Sequence, residues 1–206
     1  MKIHLIDGSG YIHRAYHAVR PLRTSRGLPV NALFGFAQML RKFLRDEAPS
    51  HAVVVFDAGR VTFRNEMYGD YKANRAETEP DLAAQFPYAR RVPQAFGVPV
   101  VEAPGFEADD VIATLAKRAI AAGFEVVVLS SDKDLLQLVG PGVTVFDPAK
   151  ERSFDAAGVV ERVGVPPARV VDWLALVGDA SDNVPGVKGI GDKGATELIA
   201  AYGPLE

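Results

Sequence analysis

Nine carboxylates stand at places in this sequence where a side chain can do chemistry. Asp7 ends the apolar run Ile3-His4-Leu5-Ile6, and Asp57 ends Ala52-Val53-Val54-Val55-Phe56. Glu107, Asp109 and Asp110 open an amphipathic stretch after a third run, Val98 to Val101. Asp132 and Asp134 follow a fourth, Val126-Val127-Val128-Leu129, and Asp179 and Asp182 lie in Gly178-Asp179-Ala180-Ser181-Asp182-Asn183. In an open parallel α/β sheet, ligands bind outside the carboxyl ends of the strands. Acids gathered at that edge resist ionisation unless cations sit among them. Magnesium and manganese suit such a site, because both prefer oxygen ligands. His4, His13, His17 and His51 show no metal-ligand spacing, and the chain has no cysteine. Taken singly, each acid has an ordinary use. Asp7 and Asp57 read as turn residues, Glu107 to Asp110 as first-turn acids that favour the helix dipole, and Asp132 and Asp134 as a turn and an N-cap. The conjunction is harder to explain that way.

The elements that would position these acids alternate. Short Val/Ile/Leu strands separated by helices predict a mostly parallel sheet with helices on both faces. One helix is expected from about Ala32, with Leu33, Phe36, Leu40, Phe43 and Leu44 on one face and Asn31 as N-cap. Another is expected from about Glu107 to Ala122, with Gly123 at its end. Val143-Thr144-Val145-Phe146 reads as a fifth strand. Beyond about Phe154 the strand signals stop, and short helices with Gly- and Pro-rich turns predict a helical subdomain. This divides the chain into an α/β core, 1–153, and a helical part, 154–206. Residues 60–86 form a polar insertion too long for an ordinary connection, which suggests a functional loop or lid.

Bulk properties agree with a globular protein. Of the 206 residues, 48% are hydrophobic and 24% charged. No run approaches membrane-spanning length, so a cytoplasmic, membrane-free protein is expected. The net charge of −3 looks wrong for a nucleic-acid binder. Set the nine acids aside, however, and the balance of 26 acidic against 23 basic residues reverses sign. An acidic centre in a basic frame suits a phosphodiester substrate.

At this point the residues resemble a known family: the 5′-nuclease domain of bacterial DNA polymerase I and its relatives, the flap endonucleases. The likeness is colinear over nearly the whole chain. It includes Leu5-Ile6-Asp7-Gly8-Ser9, Val55-Phe56-Asp57, Tyr71-Lys72-Ala73-Asn74-Arg75, Gly105-Phe106-Glu107-Ala108-Asp109-Asp110-Val111 and Ser131-Asp132-Lys133-Asp134-Leu135. It continues through Gly178 to Val184, then Pro185-Gly186-Val187-Lys188-Gly189-Ile190-Gly191. The resemblance implies a PIN-like 5′-nuclease fold that hydrolyses DNA phosphodiesters near a free 5′ end, at a flap, nick or branch, in replication and repair. It implies one divalent ion held by Asp7, Asp57, Glu107 and Asp109, and another by Asp109, Asp132, Asp134 and Asp182. Asp110 and Asp179 then act from outside through water. The 60–86 insertion matches the family's helical arch, where Lys72 and Arg75 resemble the pair that grips the scissile phosphate and Tyr71 a stacking group beside them. Residues 174–202 resemble a helix-hairpin-helix. Backbone at Gly186, Gly189 and Gly191, with Lys188 and Lys193, would meet duplex phosphates there, and relatives hold a potassium ion. Arg14 and Tyr16 resemble positions near the 5′ nucleotide.

Two departures stand out. Gly194 sits where relatives commonly carry Thr, which removes a side-chain phosphate contact. Family domains also continue with further helices beyond the position of Leu205-Glu206, so the chain is expected to be part of something longer, in one form with a polymerase portion linked to it. The expected protein is monomeric. Other readings remain: a stand-alone flap endonuclease-like protein, a module that binds branched DNA without cutting, or a ribonuclease with a similar compact fold. A phosphatase with an Asp nucleophile would want a second Asp two residues on, where Ser9 stands.

Overall fold

Alternating apolar residues place one strand at the centre of everything that follows. The structure, a computed structural model, describes residues 1–205. Strand β1 (Lys2–Asp7) leads directly into α1 (Gly8–Ala18); α2 (Asn31–Glu47) and β2 (Ala52–Val55) follow. Short helices α3 (Phe63–Met67), α4 (Pro80–Ala83), α5 (Phe86–Ala89) and α6 (Arg91–Ala95) lead to β3 (Val100–Val101). Then come α7 (Ala108–Ala121), β4 (Glu125–Leu129), a 3₁₀ turn at Asp134–Leu138, β5 (Val143–Asp147) and β6 (Arg152–Phe154). The chain continues with α8 (Ala156–Val163), α9 (Val170–Val177), the small hairpin β7 (Gly178–Asp179) and β8 (Val184–Pro185), and α10 (Asp192–Tyr202).

The main sheet has the order β3-β2-β1-β4-β5-β6. Its first five strands are parallel, and β6 returns antiparallel on β5. Strand side chains alternate between faces, so β1 feeds two cores. Ile6 joins Val54, Phe56 and Leu129 beneath α1 and α2. Leu5 joins Val55, Val126, Val128 and Val145 beneath α7 and the C-terminal helices, including Trp173 and Leu176. Helix α2 buries Ala32, Phe36, Leu40 and Phe43. Complete burial of a side chain such as Leu40 stabilises by about 1.5–3 kcal/mol. Among the described residues, no helix is long and apolar enough to cross a membrane.

The sequence reading needs three corrections. Asn31 does not cap α2; it is the first helical residue, and Val30 takes the cap position without a side-chain bond. The Asn31 amide instead donates to the Tyr16 and Val19 carbonyls and accepts from buried Gln85, tying α1, α2 and the end of the insertion together. The strand expected at 98–101 is only two residues long, and β6 was not anticipated. Asp7 opens a helix rather than a turn.

Register explains why the acids meet. Asp7 pairs with Val55 on one side, and Ile6 pairs with Leu129 on the other. The residues just past β2 and β4 therefore flank Asp7. Gly8 makes this junction possible. A Cβ there would lie 2.6 Å from Val54 Cγ1 and 2.8 Å from the Phe56 ring. Gly8→Ala is expected to cost about 1–3 kcal/mol through overpacking. Urea unfolding checks this: the midpoint should fall with little change in slope, and an unchanged midpoint would contradict the packing.

Candidate active site

Several of the acids are held by backbone N–H groups and hydroxyls before any charge between them is considered. Asp7 caps α1: its Oδ1 accepts from Gly10 N–H at 2.8 Å, and its Oδ2 accepts from the Ser130 hydroxyl at 2.9 Å. The Asp57 carboxylate accepts from Ala108 N–H at 2.8 Å, and the Asp57 N–H donates to Ser9 Oγ at 3.0 Å. Glu107 caps α7, and its N–H donates to Asp110 at 3.0 Å. Asp132 N–H donates to Ser130 Oγ at 3.1 Å, while its carboxylate accepts from Asp134 N–H at 2.9 Å. Asp179 accepts from the N–H and hydroxyl of Ser181, and Lys133 reaches it across the subdomain boundary at 3.1 Å.

The acids repel one another as a single unit. Asp109 is pushed up to about 8, first by burial and then by Asp132, Asp7, Asp57 and Glu107. Asp7 rises to about 6, chiefly through burial; the Gly10 and Ser130 hydrogen bonds oppose the shift, and Asp57 and Asp132 add to it. Asp134 also rises to about 6, through burial and then Asp132 and Asp179, with a smaller push from Asp182. Its Oδ1 is buried with no hydrogen-bond partner among the described residues. Asp110 behaves oppositely: a bidentate pair with Arg64, at 2.7 and 2.8 Å, holds it below the usual carboxylate range.

Basic side chains from the insertion lie across the cluster. Lys72 Nζ sits 2.7 and 2.8 Å from the two Glu107 oxygens and 3.6 Å from Asp182 Oδ2. Arg75 reaches Asp182 Oδ1 at 2.5 Å. The segments also dock through backbone carbonyls: Lys72 N–H donates to Asp182 O at 2.9 Å, the Asn74 side-chain amide donates to Ala180 O, and the Asn183 side-chain amide donates to Asp70 O. Lys72 and Asn183 both adopt left-handed backbone at this contact, φ 56° and 58°. Among the described residues, no group of three or more Asp, Glu or His is arranged to hold an ion as it stands. Glu107 and Asp182 are turned toward Lys72 and Arg75 instead.

Several residues singled out in the sequence take unexpected places. Tyr71 is not an open stacking face. It is buried, its hydroxyl lies 2.9 Å from Asp182 Oδ2 and 3.1 Å from Glu107 Oε2, and Lys72 Nζ lies 4.9 Å from its ring centre. The 60–86 insertion contains α3, tight turns and α4, and its end is anchored in the core by fully buried Leu82 and Gln85. Arg14 donates to Pro148 O at 2.9 Å, and its other terminal nitrogen is buried without a partner. Tyr16 packs edge-on against His17. Gly186 serves the chain crossing: a Cβ there would meet Val177 backbone at 2.3 Å. Gly189 and Gly191 have open space around them, and Lys188 and Lys193 are exposed, Lys193 lying 3.8 Å from Glu197. Asp192 occupies the first turn of α10, which offsets part of that helix's attraction for anions.

Sequence reasoning missed Arg64, Ser9 and Ser130. Arg64 is 46 positions from Asp110, so nothing local announces the pair. Ser130, a small hydroxyl just past β4, was the one signal within reach.

Cation-free protein should show these repulsions in its stability. An acid raised on folding contributes stability that is present below its unfolded value near 3.8 and lost as pH rises through its folded value. For Asp109 that window runs from about 4 to about 8. Asp109→Asn in chelator is expected to raise the melting temperature at pH 8 by at least about 3 °C and to have little effect at pH 4. Equal melting at pH 8 would contradict the crowding.

Comparison with known proteins agrees with this arrangement. The family description "5′-3′ exonuclease, N-terminal resolvase-like domain" matches residues 2–164, and "5′-3′ exonuclease, C-terminal SAM fold" matches residues 165–206. The chain is 47% identical to DNA polymerase I of Rhizobium leguminosarum over 98% of its own length, and it spans about a fifth, 21%, of that protein. It is 43% identical to a 5′-3′ exonuclease of Aquifex aeolicus, covering 99% of this chain and 71% of that one. The fold matches bacteriophage T5 flap endonuclease, solved with DNA and metal ions, with a TM-score of 0.80, 24% identity and coverage of 100% and 76%. It also matches the catalytic core of Rad2 in complex with DNA, with a TM-score of 0.64, 23% identity and coverage of 99% and 62%. Sheet order, the acid-lined strand ends and these matches agree: the chain belongs to the 5′-3′ exonuclease family.

Proposed function

We propose that this chain hydrolyses DNA phosphodiesters near a free 5′ end, with divalent ions, magnesium or manganese, bound among its carboxylates. The observation that carries the reading is the convergence of Asp7, Asp57, Glu107, Asp109 and Asp132 at one sheet edge, where burial first and the neighbouring charges second push Asp109 up to about 8. The residues fit such ions: the donor set is all oxygen, and Asp134 Oδ1 is buried without a partner. Asp7, Asp57, Glu107 and Asp109 would hold one ion, and Asp109, Asp132, Asp134 and Asp182 another. Bound there, the ions would activate the attacking water and neutralise charge on the attacking and leaving oxygens.

The chain's own side chains divide the remaining work. Asp110 is locked by Arg64, and Asp179 by Ser181 and Lys133, which suits both to outer positions. Lys72 and Arg75, now paired with Glu107 and Asp182, would exchange a carboxylate for the scissile phosphate, Arg75 offering a fork and Lys72 a point charge. Exposed Lys188 and Lys193, beside the open backbone at Gly189 and Gly191, would meet duplex phosphates without reading bases, and a potassium ion would sit at that turn. The 47% identity to DNA polymerase I, over a fifth of its length, supports a larger polymerase carrying this part, and the Aquifex relative supports a shorter stand-alone nuclease; either form would work in the cytoplasm as a monomer.

A labelled 5′-flap should be cut in magnesium and spared in chelator. Asp109→Asn is expected to abolish cutting while leaving the circular dichroism spectrum intact. Lys72→Ala is expected to slow cutting about 100-fold or more, a size typical of lost charge stabilisation, while changing flap affinity far less. Cutting by Asp109→Asn near the parent rate would remove that ligand assignment, and equal losses of rate and affinity would make Lys72 a binding residue only.

A further inference from the structure

Two phenylalanines stand open to solvent beside the acidic edge, outside both hydrophobic cores. Phe106 is 48% exposed and Phe63 36%. Their ring centres are 5.6 Å apart, with planes inclined at 51°. The pair is built rather than loose. Phe63 N–H donates to Gly105 O at 3.1 Å, joining the two segments, and the Arg64 guanidinium lies 4.7 Å over the Phe63 ring. Both rings are also indexed to the site by the next residue in the chain. Phe106 precedes Glu107, and Phe63 precedes Arg64, which clamps Asp110. Adjacent Cα atoms are about 3.8 Å apart, so the backbone that carries the two rings is tied to the cluster through Glu107 and the Arg64–Asp110 pair.

We propose that Phe63 and Phe106 form a stacking platform for one unpaired nucleobase, the base next to the phosphate that meets Lys72 and Arg75. This rests on the nuclease reading above. Three features select that occupant. Flat aromatic faces suit a base, and stacking accepts any base because each has a π-face. Lys72 on the same cluster, which the nuclease reading gives to phosphate, suits a polyanionic strand rather than an apolar protein surface, while Arg64 braces the Phe63 ring from its pair with Asp110. Two half-exposed rings also fall far short of the roughly 800 Å² per partner that a stable protein interface buries. The platform would fix which phosphate lies over the carboxylates without reading sequence.

An abasic scan tests this. Flap substrates carry a tetrahydrofuran in place of each base within three nucleotides of the cleavage point, and binding is read by fluorescence anisotropy in chelator. The parent chain is expected to lose about tenfold in affinity at one position next to that point. Phe63→Leu/Phe106→Leu, which keeps apolar bulk for folding, should bind intact and abasic strands alike. At the same position, 2-aminopurine should be quenched by the parent and not by this variant. A parent indifferent to every abasic position, while still cutting a flap in magnesium, would overturn the platform and leave the nuclease reading standing. A variant still tenfold sensitive at that position would also overturn it. A parent that neither binds nor cuts a flap would remove both.

Discussion

Burial of several carboxylates at one sheet edge, with the repulsion it sharpens between them, is the constraint on which the rest of this structure depends. A parallel sheet delivers strand ends to a common edge, and β1, at its centre, brings Asp7 between the continuations of β2 and β4. Those continuations carry Asp57 and Asp132. Helix α7 adds Glu107 and Asp109 from the third crossover. Such crowding is costly for ionised groups, and the fold answers it with helix and loop N–H groups, with the Ser130 hydroxyl on Asp7, and with basic side chains. Asp109 and Asp134 receive the least of that help and are raised most clearly along with Asp7.

The same repulsion organises the join between the two parts of the chain. Lys133 crosses from the core to Asp179, and Lys72 spans Glu107 of the core and Asp182 of the helical part. The insertion is therefore held by the charges it would serve in catalysis. In the proposed function, substrate phosphate would compete with these carboxylates for the same ammonium and guanidinium groups. That competition would give Lys72 and Arg75 a reason to leave the resting places they hold on Glu107 and Asp182. Two of the four non-glycine residues with left-handed backbone among the described residues, Lys72 and Asn183, meet at this contact.

Much of this was legible in the sequence. Continuous Val/Ile/Leu runs marked the parallel strands, and Asp7, Asp57, Asp132 and Asp134 could be placed at or just past strand ends because turns and caps favour Asp there. Local signals did less well where distant partners decide. Asn31 looks like a cap, yet Gln85, which is 54 residues away, takes its side chain. Tyr71 looks like a surface aromatic within a polar stretch, but Glu107 and Asp182 draw its hydroxyl inward. Arg64 carried no signal because its meaning lies in Asp110. Gly186 looked like a phosphate-approach glycine, whereas the crossing with Val177 and Gly178 requires it. The family resemblance supplied roles for Lys72 and Arg75 that composition could not, since that insertion holds acids and bases in similar number.

The most direct measurement is a crystal soaked in manganese and examined by anomalous diffraction. Ion peaks are expected between Asp7, Asp57, Glu107 and Asp109 and between Asp109, Asp132, Asp134 and Asp182, with Lys72 displaced from Glu107. A map with no peak among these carboxylates, and Lys72 still seated on Glu107 at saturating manganese, would contradict the central claim.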